Sequence, residues 1–523
     1  MDYGIWEDTQ SKRRKRYRHI LWASHLLSLP LKGDAYRGRT GDLREDVIRD
    51  VSLYVLAPAM NDFVLWVLGS ALKKGHRRLY FLARDGYFMY KTALAYCDRL
   101  GMDIDCRYLS CSRYSVRLPM YHLDMDEALD YICRGGIDVT FNKILSRAGL
   151  DESAKEGIGR DLTDKWDKMG VIPYAKLAEL KADLSNNEFF KKSVEDISRG
   201  KYPLLRDYLQ GEGLLDDIPY ALVDSGWTGS MQKVLRRLVD NIKKDTEKGI
   251  VPTDIKGYYW GLYELPEDVD TKDYYCYYFG PGYGAKRKAG FSNCLFEGIF
   301  SAPHGMTLGY KKEYGDVTGN ETEKVRVFPV YAQIRDTNLE FNRMTEEFIS
   351  EYTVRLCEII YKKMLKNSSH KTDTNTSFLK VISGMRTKRS ECGSGICGLT
   401  GGKVSVERET VRRLLETFMS TPTIREAVVY GDLPFSDDVL DENEQQMAAP
   451  MTLDELKSNH PWIKAAIMLG VVKGKLRESA WYEGSAVRNG QEVKRNLIAY
   501  RIYKMMIYAK KEVVRIKGKL SGK

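Results

Sequence analysis

Two short stretches of this chain set acids and hydroxyls among glycines immediately after an apolar run. One is Asp224-Ser225-Gly226-Trp227-Thr228-Gly229-Ser230, preceded by Ala221-Leu222-Val223 and followed by the helical pattern MQKVLRRLV. Glycines relieve the steric limits on φ, so successive N–H groups can turn toward an anion. The helix that follows adds unpaired N–H groups and a positive dipole end, and Thr228 and Ser230 add hydroxyl donors. The chemistry this suits is holding a phosphate. The spacing is not that of a P-loop, because no Lys follows the second glycine, nor that of the dinucleotide GxGxxG. A tight strand-to-helix turn with Thr228 or Ser230 as N-cap reads the same way.

The other stretch is Arg84-Asp85-Gly86, after the apolar LYFLA. There Asp85 could hold a divalent cation or a sugar hydroxyl, and Arg84 could face a phosphate; Asp-Gly is also a common turn. In a third stretch, Ser112-Arg113-Tyr114-Ser115-Val116-Arg117, the guanidinium forks of Arg113 and Arg117 could clamp phosphate oxygens. Farther on, NCLFEGIFSAPHGMTLGY brings Glu297 and His304 close together in the chain.

These residues need a frame that gathers strand ends. LYFLA, a turn, the helical YFMYKTALAYCDRLG and then IDCRYLSCS form a βαβ unit, whose crossover implies a parallel pair. Residues 120–215 are charged and helical in pattern and read as an insertion. IPYALVD and KGYYWGLY resume the sheet. The expected fold class is α/β, with a parallel sheet over 46–330 interrupted by that insertion. Such sheets bind ligands at the carboxyl ends of their strands. Before the sheet, the helical pattern from 46 has a break or kink at Pro58 and ends at Gly75. DYYCYYFGPGYGAKRKAGF reads as loop with some edge strand. Residues 331–523 read as a helical region with one long amphipathic helix near its start, interrupted by a mobile surface loop at 367–403. No internal repeat is present.

The 523 residues suggest two or three domains, and 43% apolar with 29% charged residues is an ordinary globular balance. No apolar run reaches the length of a membrane span, and KRRKRYR at 12–18 is not followed by a secretory apolar region. The expected location is the cytoplasm. Nine cysteines without a disulfide rhythm suit reduced thiols; Cys392 and Cys397 lack a second pair at zinc spacing. Residues 1–45 read as a basic arm. Between Lys494 and Lys519 nine Lys/Arg face the single acid Glu512. Leu497, Tyr500, Ile502, Met505 and Tyr508 lie loosely along one helical side there. This fits either an interfacial helix on anionic lipid or a helix packed on its own domain. No nucleic-acid motif accompanies the charge, and no nucleic-acid partner is expected.

LYFLARDG with its helix and the strand ending CSR resemble the pyrophosphate-loop half of a phosphoribosyltransferase fold, and ALVDSGWTGS is similar to that fold's 5-phosphate signature. Roughly 46–310 also resembles a group of bacterial capsule and O-antigen proteins, on FLARDGYF, YLSCSRYSVRLP, VDSGWTGSMQ and LFEGIFSAPHGMTLGY. Members are often fused to, encoded beside or labelled as haloacid-dehalogenase-type phosphatases, and some are phosphoribosyltransferase-type ribofuranosyltransferases. The resemblance implies transfer of 5-phosphoribose from phosphoribosyl pyrophosphate to a lipid-linked glycan acceptor, with Mg²⁺, and a partner phosphatase that later removes the phosphate. The basic tail would bring the enzyme to membrane-bound acceptors. The resemblance assigns Asp224 to the ribose hydroxyls, and Gly226, Thr228, Gly229 and Ser230 to the 5-phosphate. It places Arg84, Asp85 and Gly86 at the pyrophosphate and metal, with Arg113 toward the pyrophosphate. Nucleotide-type relatives usually have two adjacent acids where Asp224 and Ser225 stand; Trp227 is bulky for a phosphate loop, and the insertion is far larger than theirs.

Departure of pyrophosphate from C1 leaves an oxocarbenium-like centre, so the acceptor's proton must go to a carboxylate or imidazole. Glu297 is the first candidate base and His304 the second. A haloacid-dehalogenase-type hydrolase would need a D-x-D-x-[TV] run, and RDGYF supplies one acid. A nucleotide-sugar glycosyltransferase would need a second nucleotide-binding α/β half. A non-catalytic polysaccharide-assembly protein is the remaining alternative.

Overall fold

The computed structural model describes residues 10–32, 41–135, 139–162, 165–166, 170–246, 253–314, 325–333, 338–367, 373–384, 387–389, 403–435, 446–447, 481–489, 502 and 505–506. The chain is mixed α/β and mostly helical, around a five-stranded parallel sheet. It begins with α1 (Gln10–Leu21), then α2 (Leu43–Val51), which continues through a π-helical segment at Ser52–Leu56 into α3 (Ala57–Lys74). Pro58 therefore does not break the rod. It lies inside the continuous helix, just after the π-helical segment, which is the local irregularity the helix carries where the proline N–H is missing. Gly75 closes α3 in the left-handed conformation. The helix over 43–74 is long and apolar enough to cross a membrane by composition, its most apolar 18-residue window having mean hydropathy 1.6, but 94% of that window is buried inside the protein.

The sheet follows: β1 (Arg78–Leu82), α4 (Gly86–Leu100), β2 (Asp105–Leu109), α5 (Arg113–Arg117), then, after the insertion, β3 (Tyr220–Trp227). The strand order is β2-β1-β3 and continues through β4 (Lys256–Leu262) and β5 (Tyr274–Phe279), all parallel. Parallel strands are covered on both faces and so read as continuous apolar runs. The β1 run RLYFL is buried throughout. Alternate side chains feed opposite layers: Leu79 and Phe81 enter the core shared with α3 and α4, whereas Tyr80 and Leu82 enter the other layer. The Tyr-rich run supplies the expected edge strand, since β5 is the outermost strand on that side, and then leaves the sheet through a turn into a short helix. Within β5, Tyr274, Cys276, Tyr277 and Phe279 are all buried.

The insertion is helical: α6 (Met125–Ile132), α7 (Phe141–Arg147), α8 (Glu152–Leu162), α9 (Leu177–Asn186) and α10 (Glu188–Gly211). It has its own apolar core, which takes in Phe190 and Val194 of α10. The far half of the same helix places Leu205, Tyr208 and Leu209 on the sheet, beside α11 (Ser230–Thr246). One helix thus belongs to both cores.

Beyond the sheet come α12 (Ala285–Ala289), α13 (Asn293–Phe300) and an antiparallel hairpin of β6 (Thr307–Tyr314) and β7 (Val325–Tyr331). Next are α14 (Leu339–Asn367), α15 (Thr374–Ser383), α16 (Val406–Ser420), α17 (Ile424–Gly431) and α18 (Tyr482–Arg488). Phe341, Leu356, Val411 and Phe418 share one core with Leu79 and Phe81, so the helices from 339 to 420 join the apolar layer that covers one face of the sheet. The long helix needs cover for its apolar stripe, and α3, α4 and α15 supply it. Within 367–403, residues 374–383 form α15, anchored by fully buried Phe378. In the expected N-terminal arm, α1 buries Tyr17 and Leu21 and pairs Arg13 with Asp50 at 2.8 Å. Cys392 and Cys397, and nearly all of the 494–519 tail, lie outside the described residues.

Candidate functional site

From β1 the chain crosses to β2 on one side, and β3 lies on the other. The order reverses between β1 and β3, which is where open α/β sheets leave a crevice at their carboxyl ends. The carboxyl ends of β1, β2 and β3, with the turns and helix starts that follow them, carry all three sequence-predicted stretches. Across the crevice, the Ser225 hydroxyl donates to Asp85 Oδ2 at 2.5 Å. The Ser225 N–H donates to Asp224 Oδ1 at 2.9 Å. Ser225 is buried and sits between the two acids. The peptide joining Ala83 to Arg84 is cis.

Strand β3 runs farther than its sequence suggests, with Gly226 opposite Gly261 and Trp227 opposite Leu262. Only Thr228 and Gly229 remain as a turn before α11, which Ser230 opens. The Thr228 hydroxyl reaches Ser230 Oγ at 3.3 Å. Both glycines are demanded by packing as well as by any anion. Gly226 has φ +106°, and a Cβ there would lie 2.7 Å from the Gly261 carbonyl oxygen. Gly229 has φ +61°, and a Cβ there would lie 2.9 Å from the Tyr274 ring. Gly86 opens α4, with its backbone close against Phe81.

Trp227, bulky for a phosphate loop, has φ +60°. Its ring packs among Tyr263, Phe279, Phe291 and Phe296. Its indole Nε1–H donates to Glu297 Oε1 at 2.5 Å. Glu297, on α13, is thereby tied to the loop after β3. No local pattern could reveal this partner across 70 residues.

The electrostatics join these groups. Protein surrounds the carboxyls of Asp85, Asp224 and Glu297, although each residue as a whole is only partly buried. Burial, then the charge of Asp85, pushes Asp224 up to about 7. The same two causes push Glu297 up to about 8, against the pull of the Trp227 hydrogen bond. Asp85 is also raised by burial, opposed by the Ser225 hydroxyl and the charges of Arg84 and Arg113. Arg113 opens α5 behind a capping box of Ser112 and Ser115. Its charge acts on all three carboxyls.

Arg117 goes elsewhere. Its guanidinium lies 4.7 Å over the Tyr131 ring and 3.6 Å from Glu127, in contact with the insertion. The expected Arg113–Arg117 phosphate clamp is therefore not formed; burial against the helical subdomain holds the second arginine.

His304 is near the crevice but committed. Its Nδ1 lies 2.8 Å from the Gly305 carbonyl, which can only accept, so Nδ1 bears the hydrogen. Nε2 is then the acceptor for the Tyr108 hydroxyl at 2.8 Å. Burial, and the charge of Arg84, favour this neutral ring. The Tyr331 ring, from β7, lies 4.3 Å away, and its hydroxyl meets Ser110 Oγ at 2.7 Å. Tyr108, Ser110 and Tyr331 thus border the site without having been singled out in the sequence. Tyr108 belongs to a strand run whose tyrosines look like core.

Among the described residues, no three His, Cys, Asp or Glu side chains converge as a metal-binding group. No protein-family model and no curated protein matches the chain. What the site can do is a matter of its geometry.

Proposed function

We propose that the protein is a phosphoribosyltransferase-like glycosyltransferase that moves 5-phosphoribose from phosphoribosyl pyrophosphate to a glycan hydroxyl. The observation that carries this reading is the Ser225–Asp85 hydrogen bond, which draws the two expected ligand loops to one crevice at the strand-order reversal. Thr228, Gly229 and Ser230, at the start of α11, take the 5-phosphate. Asp224 accepts hydrogen bonds from the ribose hydroxyls, and Arg84 and Arg113 hold the pyrophosphate.

The bond from C1 to pyrophosphate breaks, and its electron pair leaves with the pyrophosphate. The acceptor oxygen forms the new bond to C1 and gives its proton to the Glu297 carboxylate. A carboxyl raised to about 8 is a stronger base than an ordinary glutamate, and its proton-accepting carboxylate form becomes the major one as pH rises through about 8. His304 is a poorer candidate, because its free lone pair already holds the Tyr108 proton.

Asp85 and Asp224 both hydrogen-bond Ser225, and the charge of Asp85 raises the pKa of Asp224; such a pair suits Mg²⁺, which is commonly held by one or two carboxylates with substrate phosphates completing its shell. Asp85 and Asp224 would hold it. When bound, the ion neutralises charge growing on the leaving pyrophosphate. The lipid-linked acceptor, contact of the tail with the inner membrane face and a partner phosphatase complete the reading, because the transferred ribose keeps its phosphate.

The test is pyrophosphate release from phosphoribosyl pyrophosphate with Mg²⁺ and a panel of lipid-linked glycans. Asp224→Asn should lower kcat/KM by roughly 100-fold, the scale of losing one positioned polar contact in a transition state. No release from the wild type with any acceptor, or equal release from the variant, would overturn the reading.

A further inference from the structure

Helix α1 holds six Lys/Arg residues and no acid. The fold divides them between two faces. On the inner face, Arg13 and Arg14 pair with Asp50 at 2.8 and 2.7 Å, and Arg16 donates to the carbonyls of Thr417 and Thr421 at 2.6 and 2.5 Å. Tyr17, Ile20 and Leu21 complete this buried side. On the outer face, Lys12, Lys15, Arg18, His19 and Trp22 are exposed. Their spacing of three and four residues makes a single stripe. Trp22 extends the helix through its N–H bond to the Arg18 carbonyl at 3.0 Å, and its side chain is 74% exposed. Among the described residues, neither Lys15 nor Arg18 has an ion-pair partner.

Among the described residues, nothing packs over the exposed Trp22 indole beside this row of cations. An indole is suited to the boundary between water and hydrocarbon, where its apolar body is buried and its N–H remains wet. Lysine and arginine stems extend their charges toward anionic headgroups while covering apolar surface. Each such cation strengthens partitioning to an anionic surface about fivefold. We infer that the outer face of α1 docks on an anionic lipid bilayer, with Lys12, Lys15 and Arg18 at the headgroups and Trp22 at the interface. Nucleic acid would also attract the cations, but the helix-end indole is what favours lipid. This surface stands apart from the strand-end crevice and does not depend on the transfer chemistry.

The full chain can be floated with vesicles of phosphatidylcholine alone or with one-third phosphatidylglycerol. The wild type should bind the anionic vesicles and not the neutral ones. Lys15→Glu with Arg18→Glu should weaken binding by at least about tenfold, since two attractive charges become repulsive. Trp22→Ala should weaken it several-fold. The 494–519 charges remain in every variant, so attachment by the tail alone would leave both variants bound like wild type, which overturns the proposal. A second measurement is quenching of tryptophan fluorescence by brominated lipid. The quenched component should vanish in Trp22→Phe, whose circular dichroism should match wild type; persistence of that component would overturn the insertion of Trp22. Loss of RNA binding in the variants with vesicle binding intact would assign the face to nucleic acid, also against the proposal.

Discussion

The hydroxyl of Ser225, near the end of β3, donates to Asp85 in the loop after the neighbouring β1, joining residues 140 positions apart in the chain. This bond accounts for a departure visible in the sequence. A second acid beside Asp224 would face Asp85 and add a like charge to a cluster whose carboxyls already repel one another. Ser225→Ala should cost about 1–3 kcal/mol by leaving Asp85 without its donor. Ser225→Asp should cost more. Urea denaturation of the two variants checks the order, and a Ser225→Asp variant as stable as wild type would contradict the account of the departure.

Trp227→Phe keeps the ring among Phe279, Phe291 and Phe296 but deletes the N–H that Glu297 accepts. That bond holds the Glu297 pKa down, so its loss should move the carboxyl's titration farther toward alkaline pH. Infrared titration of the carboxyl band, compared with Glu297→Gln, reads this without any substrate. The rate of transfer, if Glu297 is the base, should show its rising limb displaced in the same direction.

Gly226→Ala should be among the most destructive single changes. The left-handed φ of +106° is unfavourable for alanine, and the new Cβ would press on the Gly261 carbonyl of the paired strand. A loss of roughly 3 kcal/mol or more, or failure to accumulate folded protein, is expected. Thermal unfolding is the measurement, and a melting temperature equal to wild type would contradict the close approach of β3 and β4.

Asp224 titrates higher in the folded chain than in the unfolded one. Its contribution to stability is full below the unfolded pKa of about 4 and is lost as pH rises through about 7. Glu297 acts with the same sign, up to about 8. His76, whose pKa burial lowers to about 4, acts oppositely, because the unfolded chain takes up its proton first as pH falls. The difference between wild type and Asp224→Asn isolates the aspartate. The variant's relative stability should increase between about pH 5 and pH 8, and a pH-independent difference would contradict the raised pKa.

Much of the sheet was legible because its strands are buried on both faces and read as unbroken apolar runs. β1 and β3 show this, each followed by a loop rich in polar groups. Trp227 hid the true length of β3, since a bulky residue before Thr-Gly looks like part of the turn. Arg117 could not be told from Arg113 by residue type; Glu127 and Tyr131 determine its direction, and they belong to another helix. The β6–β7 hairpin brings Tyr331 to His304 through pairing that leaves no local signal for the contact. The α1 cations looked like a solvated arm because Asp50 and the carbonyls of α16 that receive the inner ones are remote in sequence. Tertiary partners, not local propensity, separated the reading from the structure.

The central claim is that one crevice holds the two ends of phosphoribosyl pyrophosphate. A crystal structure with that donor and Mg²⁺ tests it most directly. The account predicts the 5-phosphate against the N–H groups and hydroxyls of Thr228, Gly229 and Ser230, with the pyrophosphate toward Arg84 and Arg113. A donor bound elsewhere, or a crevice that stays empty at saturating donor and Mg²⁺, would contradict it.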